Sequence, residues 1–271
     1  MAVSAHSSSI STRWHRAVRN RIPTVVTIMA LLAIWQVWVA VAHPDPALVA
    51  SPTDIAASIA RTWPTLGPAT WTTAYEGLCG FLIAVAVGIP LGVAVFRSST
   101  VDAALMPPLT AAQTLPLIAI TPLLLIWFGF EPIGKIVIVA VFALFPIAVQ
   151  TVRGLRAVPS FYADVALTCG ATPRWTLWHV QLRVAARQVF GGIRVSAAYV
   201  FATAATAEYL GARSGLGIWL QSAYNSFQTP LIFAAAVMIM ALTGVLMLAV
   251  HAVERCVLGA PDSRENPDAD E

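Results

Sequence analysis

The chain has 271 residues, 58% of them hydrophobic and only 11% charged, and its mean hydropathy is +0.75. A soluble domain carries roughly 25% charged residues, so this composition excludes a soluble helical bundle and defines an integral membrane protein. The net charge of +3 carries little information, because the charges are sorted along the chain, and no nucleic-acid partner is expected.

The start of the chain is Ser-rich over Met1–Ser11 and basic after it, and residues 1–23 read as disordered. A membrane-crossing helix needs about 20 apolar residues. The first candidate is Thr24–Ala42. A cleavable signal peptide is the competing reading. It fails because "LLAIWQVWVAVA" is too long for an apolar signal core and "AHPDP" is a poor processing site. The second span is Thr72–Phe96. Its "GIPLG" (Gly88–Gly92) has the spacing of close helix packing. The third is Ala103–Phe128, interrupted by Gln113 and Thr114 and crowded by Pro107, Pro108, Pro116 and Pro122. Such breaks are tolerated where backbone faces protein or a water-filled cavity. Gln113 and Thr114 are therefore candidates for a pathway wall, with ordinary interhelical hydrogen bonding as the plainer alternative.

The fourth span is Lys135–Val152, the fifth Gln188–Leu210 and the sixth Leu231–Val253. "GARSGLG" (Gly211–Gly217) lies between the last two, a glycine-rich turn or a gate element. The acidic residues 257–271 read as a disordered tail. The fold class is an all-α integral membrane protein of six transmembrane helices, with one membrane domain over 24–256. Cys79, Cys169 and Cys256 have no metal or disulfide spacing and read as small packing residues. No metal site and no cofactor is expected in this chain.

Arginine distribution predicts the orientation. Arg13, Arg16, Arg19 and Arg21 precede the first span, and Arg97 follows the second. Arg153, Arg156, Arg174, Arg183 and Arg187 lie between the fourth and fifth, and Arg255 and Arg264 follow the sixth. Only Arg61, Lys135 and Arg213 are read on the other side. The excess of positive charge places both termini, and the loop 153–187, in the cytoplasm. In that loop Ser160 is expected to cap one short helix beginning at Phe161, with Asp164 in its first turns and Gly170 at its end. Thr172 caps a second, with Pro173 at its first position. Two amphipathic helices hinged at Gly170 suit either a lipid surface or a docking element for a cytoplasmic partner.

The loop resembles the cytoplasmic segment of binding-protein-dependent ABC importer permeases, whose pattern is E-A-A, three residues, G, nine residues, I-x-L-P. Here Asp164-Val165-Ala166, Gly170 and Val180-Gln181-Leu182-Arg183 stand at the matching offsets. Val165 replaces an alanine and Arg183 replaces the proline that would begin the fifth span. "LPLIAITPLLLIWFGF" (Leu115–Phe130), "FPIAVQTVRGLRAVP" (Phe145–Pro159) and "AEYLGARSGLG" (Ala207–Gly217) are similar to the branch serving nitrate, sulfonate, taurine and thiamine-pyrimidine precursors. The similarity covers roughly Leu48 to Cys256.

The resemblance implies that Asp164, Ala166, Gly170, Ala171, Val180 and Leu182 form a coupling loop seated on an ABC ATPase. It also implies two ATPase subunits, a second permease subunit as a homodimer, an extracytoplasmic substrate-binding protein and a bacterial inner-membrane location. ATP and magnesium would bind on the partner ATPase: this chain has no G-x-x-x-x-G-K-[ST], and its one lysine is Lys135.

Glu76 and Glu208 are acids near or within spans, and ionisable residues in a membrane are functional hypotheses by default. The plainer reading puts both at headgroup depth. With Thr203, Thr206 and the small residues of "ATAATA", Glu208 is expected at the outer mouth of the pathway, holding a gate through Arg213 or loop amides. The expected function is the translocation pathway for a small polar solute, a thiamine pyrimidine precursor or similar heteroaromatic. A permease for nitrate, sulfonate or taurine is the alternative. A secondary transporter or channel is the competing class. It is disfavoured because no internal repeat and no midplane lysine or arginine is read.

Overall fold

The structure, a computed structural model, describes residues 8–45 and 47–259, with residues 8–22 and 24 described by backbone alone. The chain divides into two compact units, Met1–Trp63 with Ala223–Ala234, and Pro64–Ser222 with Ala235–Glu271. Ten α-helices follow in order among the described residues: α1 Ser8–Ala42, α2 Pro52–Arg97, α3 Ser99–Ala112, α4 Leu117–Phe128, α5 Pro132–Arg156, α6 Ser160–Thr168, α7 Pro173–Thr176, α8 Leu182–Gly211, α9 Leu216–Asn225 and α10 Thr229–Leu258. A π-turn, Leu177–Gln181, joins α7 to α8 without a break. Five helical segments are long and apolar enough to cross a membrane, or six if α3 and α4 form one broken span. The protein is thus an all-α, multi-pass membrane protein.

Within the first unit, α1 starts at Ser8, inside the segment 1–23 expected to be disordered, because the apolar span continues N-terminally as helix. Residues 1–7 and the acidic tail from 260 lie outside the described residues. The stretch Val25–Ala42, with a mean hydropathy of 2.3 over 18 residues, is apolar enough to cross a membrane. Trp35 meets Phe233 with ring centroids 5.7 Å apart, and Gln36 accepts from the Thr53 amide at 3.2 Å.

The second unit is built on α5 and α8. Val139, Ala143 and Ile147 of α5 are buried against Val189, Ile193, Ala197, Val200, Phe201 and Ala204 of α8, with Phe81 and Ala84 of α2 and Leu246 and Val250 of α10 in the same core. Helix α2 approaches α5 along small residues four apart. A β-carbon at Gly80 would stand 2.6 Å from Val139, and one at Gly92 2.6 Å from Thr151. Lipid chains are as apolar as leucine, so close backbone packing of this kind holds membrane helices together. The "GIPLG" expectation is met on this face.

The third span is interrupted at Gln113 and Thr114, as expected. It breaks between Ala112 and Leu117, and the two halves are bent by 112°. Pro116 has no amide hydrogen to continue the ladder and stands at φ −69°, ψ 111° before α4. The pair still joins the two ends of the bundle. Asp102 near its start pairs with Arg156 at the end of α5 (2.6 Å), while Phe130 beyond its end packs on Gly211 at the end of α8. Lys135 and Arg156 mark opposite ends of α5, about 32 Å apart at 1.5 Å per residue.

Helix α2 begins at Pro52 rather than Thr72, through Pro64 and Pro68. "GLG" (Gly215–Gly217), expected as turn, instead opens α9 at Leu216.

Candidate functional site

The loop after α5 is two helices meeting at Gly170, as expected, though its caps are only partly those expected. Helix α6 starts at Ser160 with Pro159 before it, and no side chain caps it. Thr172 does cap α7, accepting from the Trp175 amide at 3.3 Å. At the end of α6, Gly170 has φ +87°, its amide donates to Leu167 O, and the Ala171 amide donates to Ala166 O, both at 3.0 Å. These are the paired bonds of a Schellman termination, which needs a left-handed residue at its turn. The motif's second alanine thus supplies the accepting carbonyl and its glycine the reversal.

Around this knuckle lies an open concavity of about 630 Å³, lined by Tyr162, Val165, Ala166, Gly170, Trp175 and Val180 among others. Phe161, Tyr162, Val165, Leu167, Trp175 and Trp178 are exposed. Asp164 is exposed, Ala171 is half-buried at the hinge, and Leu182 packs beneath with Leu155 and Leu177. Arg183 does not start a span. It is the second residue of α8, inside a helical run that begins at Pro173, because the π-turn carries the chain through where the family proline would start a new helix.

A second site is a cavity of about 410 Å³ beside the broken span. Gln113 from the break faces Phe142, Phe145, Tyr199, Thr203 and Thr206 there. Every lining side chain is neutral. Phe142 and Phe145 meet edge to face, and the Tyr199 hydroxyl donates to Phe142 O at 3.3 Å. Thr114 does not line it: its hydroxyl turns back to Ala111 O at 2.7 Å.

Glu76 and Glu208 stand apart from that cavity, in a third constellation. Neither lies at an exposed headgroup position: both have 0% exposure, and Lys135 has 2%. Lys135 Nζ is 2.6 Å from Glu76 Oε1. The Thr73 hydroxyl donates to the Glu208 carboxylate at 2.7 Å and accepts the Leu216 amide at 2.8 Å. The Gly217 amide donates to Glu208 Oε2 at 2.7 Å. The loop 211–217 is therefore pinned to α2 and α8 through one carboxylate. Of the two gate partners considered, the loop amides hold Glu208, and Arg213 is exposed. Gly215 lies at φ +116° against the Glu208 carboxylate, leaving no room for a side chain.

Sequence reasoning missed Thr73 and the pairing of Lys135. The available signal was one lysine and two acids of opposite sign in otherwise apolar segments, which in a membrane must find each other. It also missed Arg194. That arginine lies inside the fifth span and pairs with Glu254 of α10, with His251 3.7 Å from the same carboxylate.

The family described as binding-protein-dependent transport system inner membrane component matches residues 84–258. The riboflavin transport system permease protein of Chloroflexus aurantiacus is 32% identical over 86% of this chain and 88% of its own. The formylaminopyrimidine transport permease protein of Halalkalibacterium halodurans is 30% identical over 87% and 94%. The taurine transport system permease protein of Escherichia coli is 26% identical over 92% and 93%. A solved inward-facing MetNI methionine ABC transporter shares the fold, with a TM-score of 0.63 at 18% identity over 73% of this chain and 98% of that one. The chain belongs to the binding-protein-dependent transport system inner membrane components. It is an ABC importer permease for small solutes, which sets aside the secondary-transporter and channel readings.

Proposed function

We propose that this permease forms the pathway for a small planar nitrogen heteroaromatic, such as a thiamine pyrimidine precursor, and that a separate ATPase drives it through the α6–α7 loop. The observation that carries the substrate class is the cavity beside the broken span. Its Phe142, Phe145 and Tyr199 offer flat apolar faces, and Gln113, Thr203 and Thr206 offer neutral hydrogen-bonding groups. A flat, uncharged ring with polar edges fits such a wall. A sulfonate or nitrate would call for a cationic lining. The relatives named for riboflavin and formylaminopyrimidine carry heteroaromatic solutes by their names, which supports the same class.

The exposed aromatic and aliphatic side chains around Gly170 support a docking loop over a merely lipid-facing one, since they surround a concavity rather than a flat stripe. On this reading two permease copies and two ATPase subunits assemble in the bacterial inner membrane. An extracytoplasmic binding protein delivers the solute, both termini and the α6–α7 loop are cytoplasmic, and ATP is hydrolysed only on the partner.

Reconstitution with its partner ATPase and binding protein tests the proposal. ATP-dependent uptake of formylaminopyrimidine or riboflavin, with little uptake of taurine, is the expected result. The reverse preference would overturn the substrate class.

A further inference from the structure

We propose that Glu76 and Glu208 share a single proton, so that the buried cluster at the loop 211–217 holds a hydrogen ion as part of its folded structure. This goes beyond the transport reading and does not depend on which solute is carried.

The argument begins with charge. Glu76 on α2, Lys135 on α5 and Glu208 on α8 are the ionisable groups in contact here among the described residues, and all three are sealed from solvent. Two carboxylates and one ammonium leave one negative charge in excess. An unpaired charge in an apolar interior is far more costly than a lost hydrogen bond, and a group so placed neutralises instead. Arg213, the basic residue nearest in sequence, is exposed and does not supply the balance.

Hydrogen bonding then says where the missing proton goes. Glu208 is furnished as a carboxylate: the Thr73 hydroxyl lies 2.7 and 2.9 Å from its two oxygens, and the Gly217 amide adds a donor at 2.7 Å. Glu76 is the opposite case. Its Oε1 is paired with Lys135 Nζ at 2.6 Å, while its Oε2 has no hydrogen-bond partner. Glu76 stands one helical turn beyond Thr73 on α2, so its carboxyl neighbours the Glu208 carboxylate that Thr73 holds. Two bare carboxylates so placed repel. A proton on Glu76 donated to Glu208 converts that repulsion into a charge-assisted O–H···O bond, satisfies an otherwise orphaned oxygen and brings the cluster to neutrality in one step. The proton belongs to the pair, since either carboxyl can carry it. No other atom moves: the cluster is one ammonium, one carboxylate and one carboxylic acid.

The consequence is a link between the proton and the loop. Gly217 and, through Thr73, Leu216 are seated on the same carboxylate that accepts the proton. Lifting the loop would strip Glu208 of its amide donor and admit water, and the proton would then exchange freely.

Infrared difference spectroscopy of the complete transporter in lipid nanodiscs tests this at neutral pH, reading the C=O stretch of protonated carboxyls that shifts between protein produced in H2O and protein produced in D2O. Wild type should show one buried protonated carboxyl per permease. Glu76→Gln and Glu208→Gln should each abolish it, because Lys135 then balances the single remaining carboxylate. Lys135→Met should double it, because both carboxyls must then be neutral. Absence of the band in wild type would overturn the proposal, as would a band that survives undiminished in both glutamine variants. Should a variant fail to assemble, the wild-type spectrum and the remaining variants still decide.

Discussion

Thr73 shows how much one hydroxyl carries. It donates to Glu208 and accepts from the Leu216 amide, so it stitches α2 to α8 and to the loop at once. Thr73→Val keeps the shape and removes both bonds. It leaves the Leu216 amide buried without an acceptor, at a cost of about 1–3 kcal/mol. The expected readout is faster modification of a cysteine placed at Ser214, in a permease that still assembles. Glu208→Gln should move the same way. Its amide group would set a donor against either Thr73 or the Gly217 amide. ATP hydrolysis should depend less on the loaded binding protein, and uptake should slow. Unchanged uptake and stimulation would reduce Glu208 to a packing residue. A single acid in an apolar run was legible in the sequence. Its partners were not, because Thr73, Lys135 and Gly217 sit on separate segments that only helix packing brings together.

Helix α6 ends where it does because Gly170 can turn left-handed. A valine at φ +87° costs about 1–2 kcal/mol even with open space around it, and nothing would crowd a β-carbon there. Gly170→Val should therefore distort the knuckle without blocking membrane insertion, and less ATPase should copurify with the permease. Normal copurification would show that the loop rests on lipid alone. A different failure is expected at Gly92, where α2 meets α5. Gly92→Leu forces side-chain atoms against Thr151 and the Ala148 carbonyl. Overpacking of this kind costs about 1–3 kcal/mol, and the variant should lower the thermal stability of the detergent-solubilised protein. The spans and the hinge could be read from apolar runs, glycine and proline. The 112° bend could not, since prolines announce a break but its angle is set by what the halves pack against. Continuity from α7 to α8 was hidden for a related reason. A π-turn has no sequence signature as plain as the proline it replaces here.

Across the molecule, the α6–α7 loop and the Glu208 cluster lie toward opposite ends of α8, and the proposed topology puts them on opposite faces of the membrane. A membrane-impermeant thiol reagent applied from outside should reach a cysteine at Ser214 and miss one at Thr172, in a background lacking Cys79, Cys169 and Cys256. Reversed labelling would invert the orientation, and labelling of both would break the six-span count. The arginine pattern that suggested this orientation is a property of the whole chain, so it was readable before any contact was known. The lining of the cavity beside the broken span was not: Gln113, Phe142, Tyr199 and Thr206 come from three separate stretches.

From Pro173 to Gly211 the backbone is one helical rod of 39 residues, about 58 Å long. The knuckle sits at one tip and the pinned loop at the other. A rod that stiff is a lever arm. Tilting it by roughly 5° about its lower tip sweeps the upper tip by about 5 Å, which is more than the length of any hydrogen bond that seats the loop. A small rocking imposed at the α6–α7 loop would thus be amplified with distance rather than dissipated. The π-turn near the lower tip is the one built-in compliance among its described residues, a place where slack can be taken up before the stroke begins.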